Sequence, residues 1–120
     1  MHGKVVALHV LLPVIFSLIG KPDIAIEFVV DTGFSGDLTL PASIVEELGL
    51  EFIESTTANL ATDDEVELPV YGANVIWDGS IREVRVFALG KRPLLGTDLL
   101  NGRELVALFE ENGFVSVTTL

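Results

Sequence analysis

The sequence predicts an all-β chain with two short helices, its strands closing on one another in a barrel-like fold. Three observations lead there. Short apolar runs rich in Val and Ile recur along the whole chain, and such residues suit buried strands. Turn-forming groups punctuate these runs at Gly20-Lys21-Pro22-Asp23, Ala61-Thr62-Asp63-Asp64-Glu65, Asp78-Gly79-Ser80 and Glu111-Asn112-Gly113. Only two stretches, residues 41–49 and 97–100, carry helix signals.

Taken in order, Val5–Leu12 and Val14–Ile19 read as strands broken near Pro13. The turn at residues 20–23 joins two apolar runs, so residues 14–30 read as a hairpin ending at Asp31. Pro41–Gly49 reads as a helix, with Pro near its start and Gly just past its end. Residues 52–60 form a strand, and Val66–Val70 returns as another after the polar turn at residues 61–65. Val75–Trp77 and Arg82–Leu89 make a hairpin around Asp78-Gly79-Ser80. Thr97–Leu100 begins a short helix that Asn101-Gly102 stops. Glu104–Phe109 and Phe114–Thr118 close the chain as two strands.

With 120 residues, 49% hydrophobic and 21% charged, the chain suits one domain, residues 1–120, with a modest core. Its 18 acidic residues outnumber 7 basic ones, a formal charge of −11. No basic cluster exists to neutralise phosphates, so nucleic acid is not an expected partner. The absence of Cys excludes disulfides, thiolate metal sites and Cys nucleophiles, and fits a cytoplasmic protein. The apolar segment Val5–Ile19 follows Lys4, but it contains His9, Pro13 and Ser17 and is shorter than a membrane span. It reads as core strand, with a membrane anchor or signal as the competing reading, and no membrane association is expected.

The most informative feature is Asp31-Thr32-Gly33, placed at the end of the apolar run Ile24–Val30. A carboxylate there is costly unless something uses or pairs it. Thr supplies a hydroxyl beside it, and Gly lets the backbone turn and approach closely. About sixty residues later comes Pro93-Leu94-Leu95-Gly96-Thr97-Asp98. Together, an Asp-Thr-Gly turn and a later Leu-Leu-Gly before a short helix resemble the single-domain retropepsin-like aspartic proteases, in their small non-viral branch. The resemblance spans roughly residues 5–109.

That resemblance implies a closed β-barrel working as a homodimer, with no cofactor and no metal. Peptide hydrolysis of this type uses two carboxylates that share one proton, because like charges about 3 Å apart resist ionising together. One Asp-Thr-Gly per chain implies that a two-fold axis brings together the Asp31 of each protomer, an isologous arrangement. Thr32 would bond across the axis, and Gly33 would present its backbone N–H to the carboxylates. The strand holding Leu94, Leu95 and Gly96 would pass beneath the loop, its Gly leaving room, and border the cleft. The hairpin tip, Ala61, Thr62, Asp63 and Asp64, occupies the place of the flap that closes over an extended peptide or protein substrate. Glu104–Phe109 and Phe114–Thr118 are candidates for the dimer sheet.

Other chemistries fit poorly. Gly33-Phe34-Ser35-Gly36 is one residue short of a nucleophile elbow. The acids at residues 63–65 lack the spacing of a calcium loop and read as a solvated turn. His2 and His9 have no recognisable partner, and His9 reads as a packed strand residue. Burial is the expected role of Trp77 and Tyr71, against a place in the cleft. Two departures from the family stand out. Phe34 follows the motif where Ala, Ser or Thr is usual, with the Ser35 hydroxyl one residue later. Thr97-Asp98 stands where retroviral members carry an Arg that pairs with an Asp near the loop. A retropepsin-like module that dimerises or binds peptides without cleaving them is the alternative reading.

Overall fold

The computed structural model describes residues 1–59 and 62–120. Among them, ten strands form one sheet interrupted by two short helices, as expected. The first hairpin joins β1 (His2–Val6) to β2 (His9–Ser17) through Ala7 and Leu8, both at positive φ, 49° and 64°. Two left-handed central residues match the twist of paired strands, yet Ala-Leu carries none of the usual Gly or Asn signal. The expected break near Pro13 is therefore misplaced, and β2 continues through it.

One edge of β2 pairs with β3 (Ile24–Val30) from Leu11 to Phe16. On its other edge β1 reaches Leu11, and β6 (Glu65–Trp77) takes over only at Ile15. Pro13 falls in the gap, where a residue without an N–H disturbs the ladder least. Leu12, Val14 and Phe16 alternate inward from this strand, so β2 is core sheet, while the strand expected to run to Ile19 ends at Ser17 and leaves Ile19 exposed. Among the described residues no helix is long and apolar enough to cross a membrane.

β4 (Leu38–Leu40) leads into α1 (Ala42–Leu48), bounded by Pro41 and by Gly49 in the left-handed conformation at φ 65°. β5 (Glu51–Asn59) and β6 form a long hairpin, paired from Glu51↔Gly72 to Asn59↔Glu65 with a bulge between Phe52 and Glu54. The two strands expected at Val66–Val70 and Val75–Trp77 are one strand of 13 residues. Its inward residues are Leu68 and Val70 in the first half, then Ala73, Val75 and Trp77. That change of phase, around Tyr71–Gly72, interrupts the alternation from which a strand is read.

β7 (Ser80–Ala88) returns along β6 through Asp78 and Gly79. β8 (Leu94–Leu95), α2 (Thr97–Leu100), β9 (Arg103–Ala107) and β10 (Phe114–Thr119) complete the chain. The strand expected at Glu104–Phe109 ends at Ala107, although the Leu108 N–H still donates to Phe114 O. Strand order is β5-β6-β7-β4-β8-β3-β2-β1-β10-β9, and β6 also pairs with β2. Six strands are thereby linked in a ring of hydrogen bonds, with β5 and β9 at the two ends of the sheet. Inside lie Leu12, Val14, Phe16, Phe28, Leu38, Leu40, Val75, Trp77, Val86, Leu95 and Leu99, with Phe16 and Phe28 stacked at 6.0 Å. Trp77 is buried, as expected. Tyr71 is half-buried, with its ring edge-on to Phe52.

Candidate active site

The order β4-β8-β3 places two chain segments side by side, and the site is built where they meet. β3 runs parallel to β8, with Val29 opposite Leu94 and Val30 opposite Leu95. Asp31 is the first residue beyond β3, and its N–H donates to Leu95 O at 2.9 Å. The loop of residues 31–37 then turns over the segment that follows β8. Gly96 N–H donates to Asp37 O (2.8 Å), Thr97 N–H to Phe34 O (2.9 Å) and Asp98 N–H to Gly36 O (3.2 Å). The last two donors belong to the first turn of α2, where N–H groups have no partner within the helix. The loop satisfies them, and in return its carbonyls are held from below.

Gly96 has φ −100° and ψ 179°, an extended conformation open to any residue. Its requirement is room. A Cβ there would meet Phe34 Cδ2 and Phe34 O at 2.6 Å, and Gly36 O closer still. Leu95 and Gly96 are both buried beneath the loop, so their part in the site is support, while Leu94 is half-buried beside them. Thr39, buried on β4, adds an anchor by accepting the Leu94 N–H on Oγ1 at 3.2 Å.

At the top of the loop, Gly33 N–H donates to Asp31 Oδ1 at 2.9 Å, and Phe34 N–H to Asp31 O at 3.1 Å. The Asp31 carboxyl is half-buried, and Thr32 and Gly33 are exposed. Beside Thr32 runs an open groove lined by Leu8, Val10, Val30, Leu105, Ala107 and Phe109. His9 also borders it. His9 is exposed on β2 rather than packed, with Nε2 3.3 Å from Arg92 Nη1.

The hairpin tip lies apart from this construction in sequence. Ala61 falls outside the described residues. Thr62 Oγ1 donates to Asp64 Oδ2 at 3.1 Å, and Asp63 sits at φ 65°, so the two form a local turn. Lower on the hairpin, Glu54 of β5 pairs with Arg85 of β7 at 2.7 Å. Among the described residues no three His, Cys, Asp or Glu side chains gather as a metal site.

Sequence reasoning missed Asp37. It closes the loop and is 7% exposed, the one buried carboxylate of the described residues. Its Oδ2 accepts the Arg85 N–H at 3.0 Å, tying the loop to β7 as well as β8. Burial pushes its carboxyl above the ordinary Asp range. The Arg85 N–H opposes that shift, the neighbouring Asp98 reinforces it, and Arg82 opposes it more weakly. In the sequence, an Asp after Gly36 reads only as turn chemistry, and nothing local marks it as buried.

By sequence the chain matches no family model and no curated protein. By structure it is similar to the crystal structure of a retropepsin-like aspartic protease from Rickettsia conorii. The TM-score is 0.59 at 15% identity, over 100% of this chain and 91% of that one. The chain has a retropepsin-like fold.

Within the retropepsin-like fold, the unusual Phe34 has a structural explanation. Its ring turns inward, packing edge-on against Phe87 with centroids 5.7 Å apart. It fills the space left by the missing side chains of Gly36 and Gly96. The loop is thus consolidated by an apolar plug in place of a hydroxyl, and Ser35 stays exposed.

Proposed function

We propose that this chain is an aspartic endopeptidase that acts as a homodimer. The Asp31 of each protomer would share one proton and activate a water for attack on a peptide carbonyl. The observation that carries this reading is the placement of Asp31-Thr32-Gly33 at the end of β3, held from below by Leu95–Asp98, within a retropepsin-like fold. Asp31 is the catalytic residue. Thr32 and Gly33 position it, and the β5–β6 hairpin closes over an extended peptide.

The dimer is supported by the surface beside the loop. Leu8 is 73% exposed and Phe109 64% exposed, and both border the groove next to Thr32. Exposed apolar groups in contact with a site that needs a second carboxylate suit a two-fold interface. Sedimentation at micromolar concentration is expected to show a dimer, and Phe109→Glu is expected to weaken it by at least about tenfold. A strict monomer in the presence of a peptide-like inhibitor would remove the basis for catalysis.

Each protomer carries a formal charge of −11, and self-repulsion opposes assembly. Raising NaCl from about 20 mM to about 0.3 M is therefore expected to increase the dimer fraction at neutral pH, since the Debye length shortens several-fold. A fraction that falls with salt would mean that specific ion pairs hold the interface. Cleavage of a peptide library tests the activity itself. A confirmed dimer that cleaves nothing at any pH would favour the peptide-binding module.

A further inference from the structure

Asp37 lies at the meeting point of three elements. Its main-chain carbonyl takes the Gly96 N–H from beyond β8, and its Oδ2 takes the Arg85 N–H from β7. Oδ1 is buried and has no hydrogen-bond partner that donates to it. Asp98 of α2, a second acid, is held next to the loop by its N–H on Gly36 O, one residue before Asp37, and its side chain favours the neutral form of Asp37. The cations of β7 do not neutralise the pair fully. The Arg85 guanidinium is engaged by Glu54, and Arg82 acts on Asp37 only through space. A buried carboxyl oxygen with no donor, in a group that a second acid also pushes towards neutrality, is costly unless it carries a proton.

We propose that Asp37 is a positioning residue of the Asp31 loop that works as a carboxylic acid, donating its proton from Oδ1 to the Asp98 carboxylate. The assignment rests on the protease reading for its catalytic consequence, but its structural part stands without it. An O–H···O⁻ bond between the two acids closes the one open position of the anchor, joining the end of the loop to α2, while Oδ2 holds β7. Asp98 itself is exposed, so its negative charge keeps contact with water. The proton makes the contact attractive. Without it, two carboxylates face each other and the loop is pushed off α2.

The sign follows from the direction of the shift. The folded state holds the Asp37 proton more tightly than the unfolded chain does, because burial and Asp98 outweigh the Arg85 N–H and Arg82. The stabilisation is complete below the unfolded value. It is lost as pH rises through the raised folded value.

Three measurements test this. Carbon-detected carboxyl titration of the parent should give Asp37 a midpoint above the ordinary Asp value of about 3.9. A midpoint at or below it overturns the proposal. Thermal unfolding followed upward from about pH 4, the ordinary Asp value, should show a fall in Tm relative to Asp37→Asn of about 4 °C or more. The Asn amide supplies both the acceptor for Arg85 N–H and a donor for Asp98 at every pH. Glu46→Gln, which removes an exposed acid on α1, should leave the fall unchanged. Asp98→Asn should flatten the profile as well, which keeps the test alive if a variant at residue 37 does not fold.

Asp37→Ala should be less stable than the parent at pH 5, with Asn restoring stability. If Asn is as damaging as Ala, an ionised carboxylate is required and the proposal fails. A parent Tm at pH 8 that rises with millimolar CaCl2, and does not in Asp37→Asn, would put a cation in place of the proton and equally overturn it. In a chain that cleaves peptides, kcat should fall in Asp37→Ala and recover in Asp37→Asn, with KM little changed. If the parent cleaves nothing, the protease reading fails, and the titration and unfolding results still decide the role of Asp37.

Discussion

Asp31→Asn is expected to abolish peptide cleavage, lowering kcat by on the order of 10³-fold or more, within the range that proton transfer by a positioned group contributes. The structure gives the reason to expect a folded protein. Among the described residues, the one side-chain hydrogen bond of Asp31 is the Gly33 N–H donated to Oδ1 at 2.9 Å, and the Asn carbonyl oxygen accepts it equally well. The main-chain bonds to Leu95 and Phe34 do not involve the side chain. What Asn loses is the capacity to take the proton of the attacking water. Circular dichroism and unfolding should match the parent, and dimerisation should persist. Activity retained within about tenfold of the parent, on any substrate that the parent cleaves, would show that Asp31 is not the catalytic carboxylate.

Gly96→Ala is expected to cost about 3 kcal/mol or more of stability, at the upper end of what overpacking costs. An added methyl group would sit 2.6 Å from Phe34 O, with Gly36 O also in its way. Backbone atoms cannot rotate aside as a flexible side chain does. Moving them breaks the Thr97 N–H to Phe34 O and Asp98 N–H to Gly36 O bonds that carry the loop. Loss of activity should therefore accompany the loss of stability, at a site whose side chain touches no substrate. Urea denaturation measures the first and peptide cleavage the second. A Gly96→Ala protein with parental stability would mean that the loop stands further from the β8–α2 segment. Phe34→Ala should partly relieve the clash, because the Phe34 ring is one of the groups the methyl would meet. The double variant should then be less destabilised than the sum of the single ones.

Much of this molecule is legible along the chain. Short Val- and Ile-rich runs separated by turn residues determine an all-β fold, since each segment needs only a neighbour to pair with and a face to bury. Pro41 and Gly49 bound a helix by local backbone chemistry alone. Asp31-Thr32-Gly33 and Leu94-Leu95-Gly96 point to each other through the resemblance to the retropepsin-like family, whose two motifs they match in order and spacing. Where the sequence misled, pairing had overruled local preference. β2 passes through Pro13 because its outer edge has no partner there. β6 changes inward face around Tyr71–Gly72, which reads as an interruption although the strand continues. Ala7-Leu8 makes a left-handed turn that neither residue favours, because the strands on either side hold it.

Only the tertiary structure decided the remainder. That Phe34 plugs the loop from within depends on Gly36, Phe87 and Gly96, the last two more than fifty residues further along the chain. That Asp37 is buried against Arg85 N–H and Asp98 depends on β4 lying between β7 and β8. A side chain's environment is set by which distant segments cover it. The residues that do so for Asp31 and Asp37 are brought there by the order of strands in the sheet, which no local pattern of residues encodes.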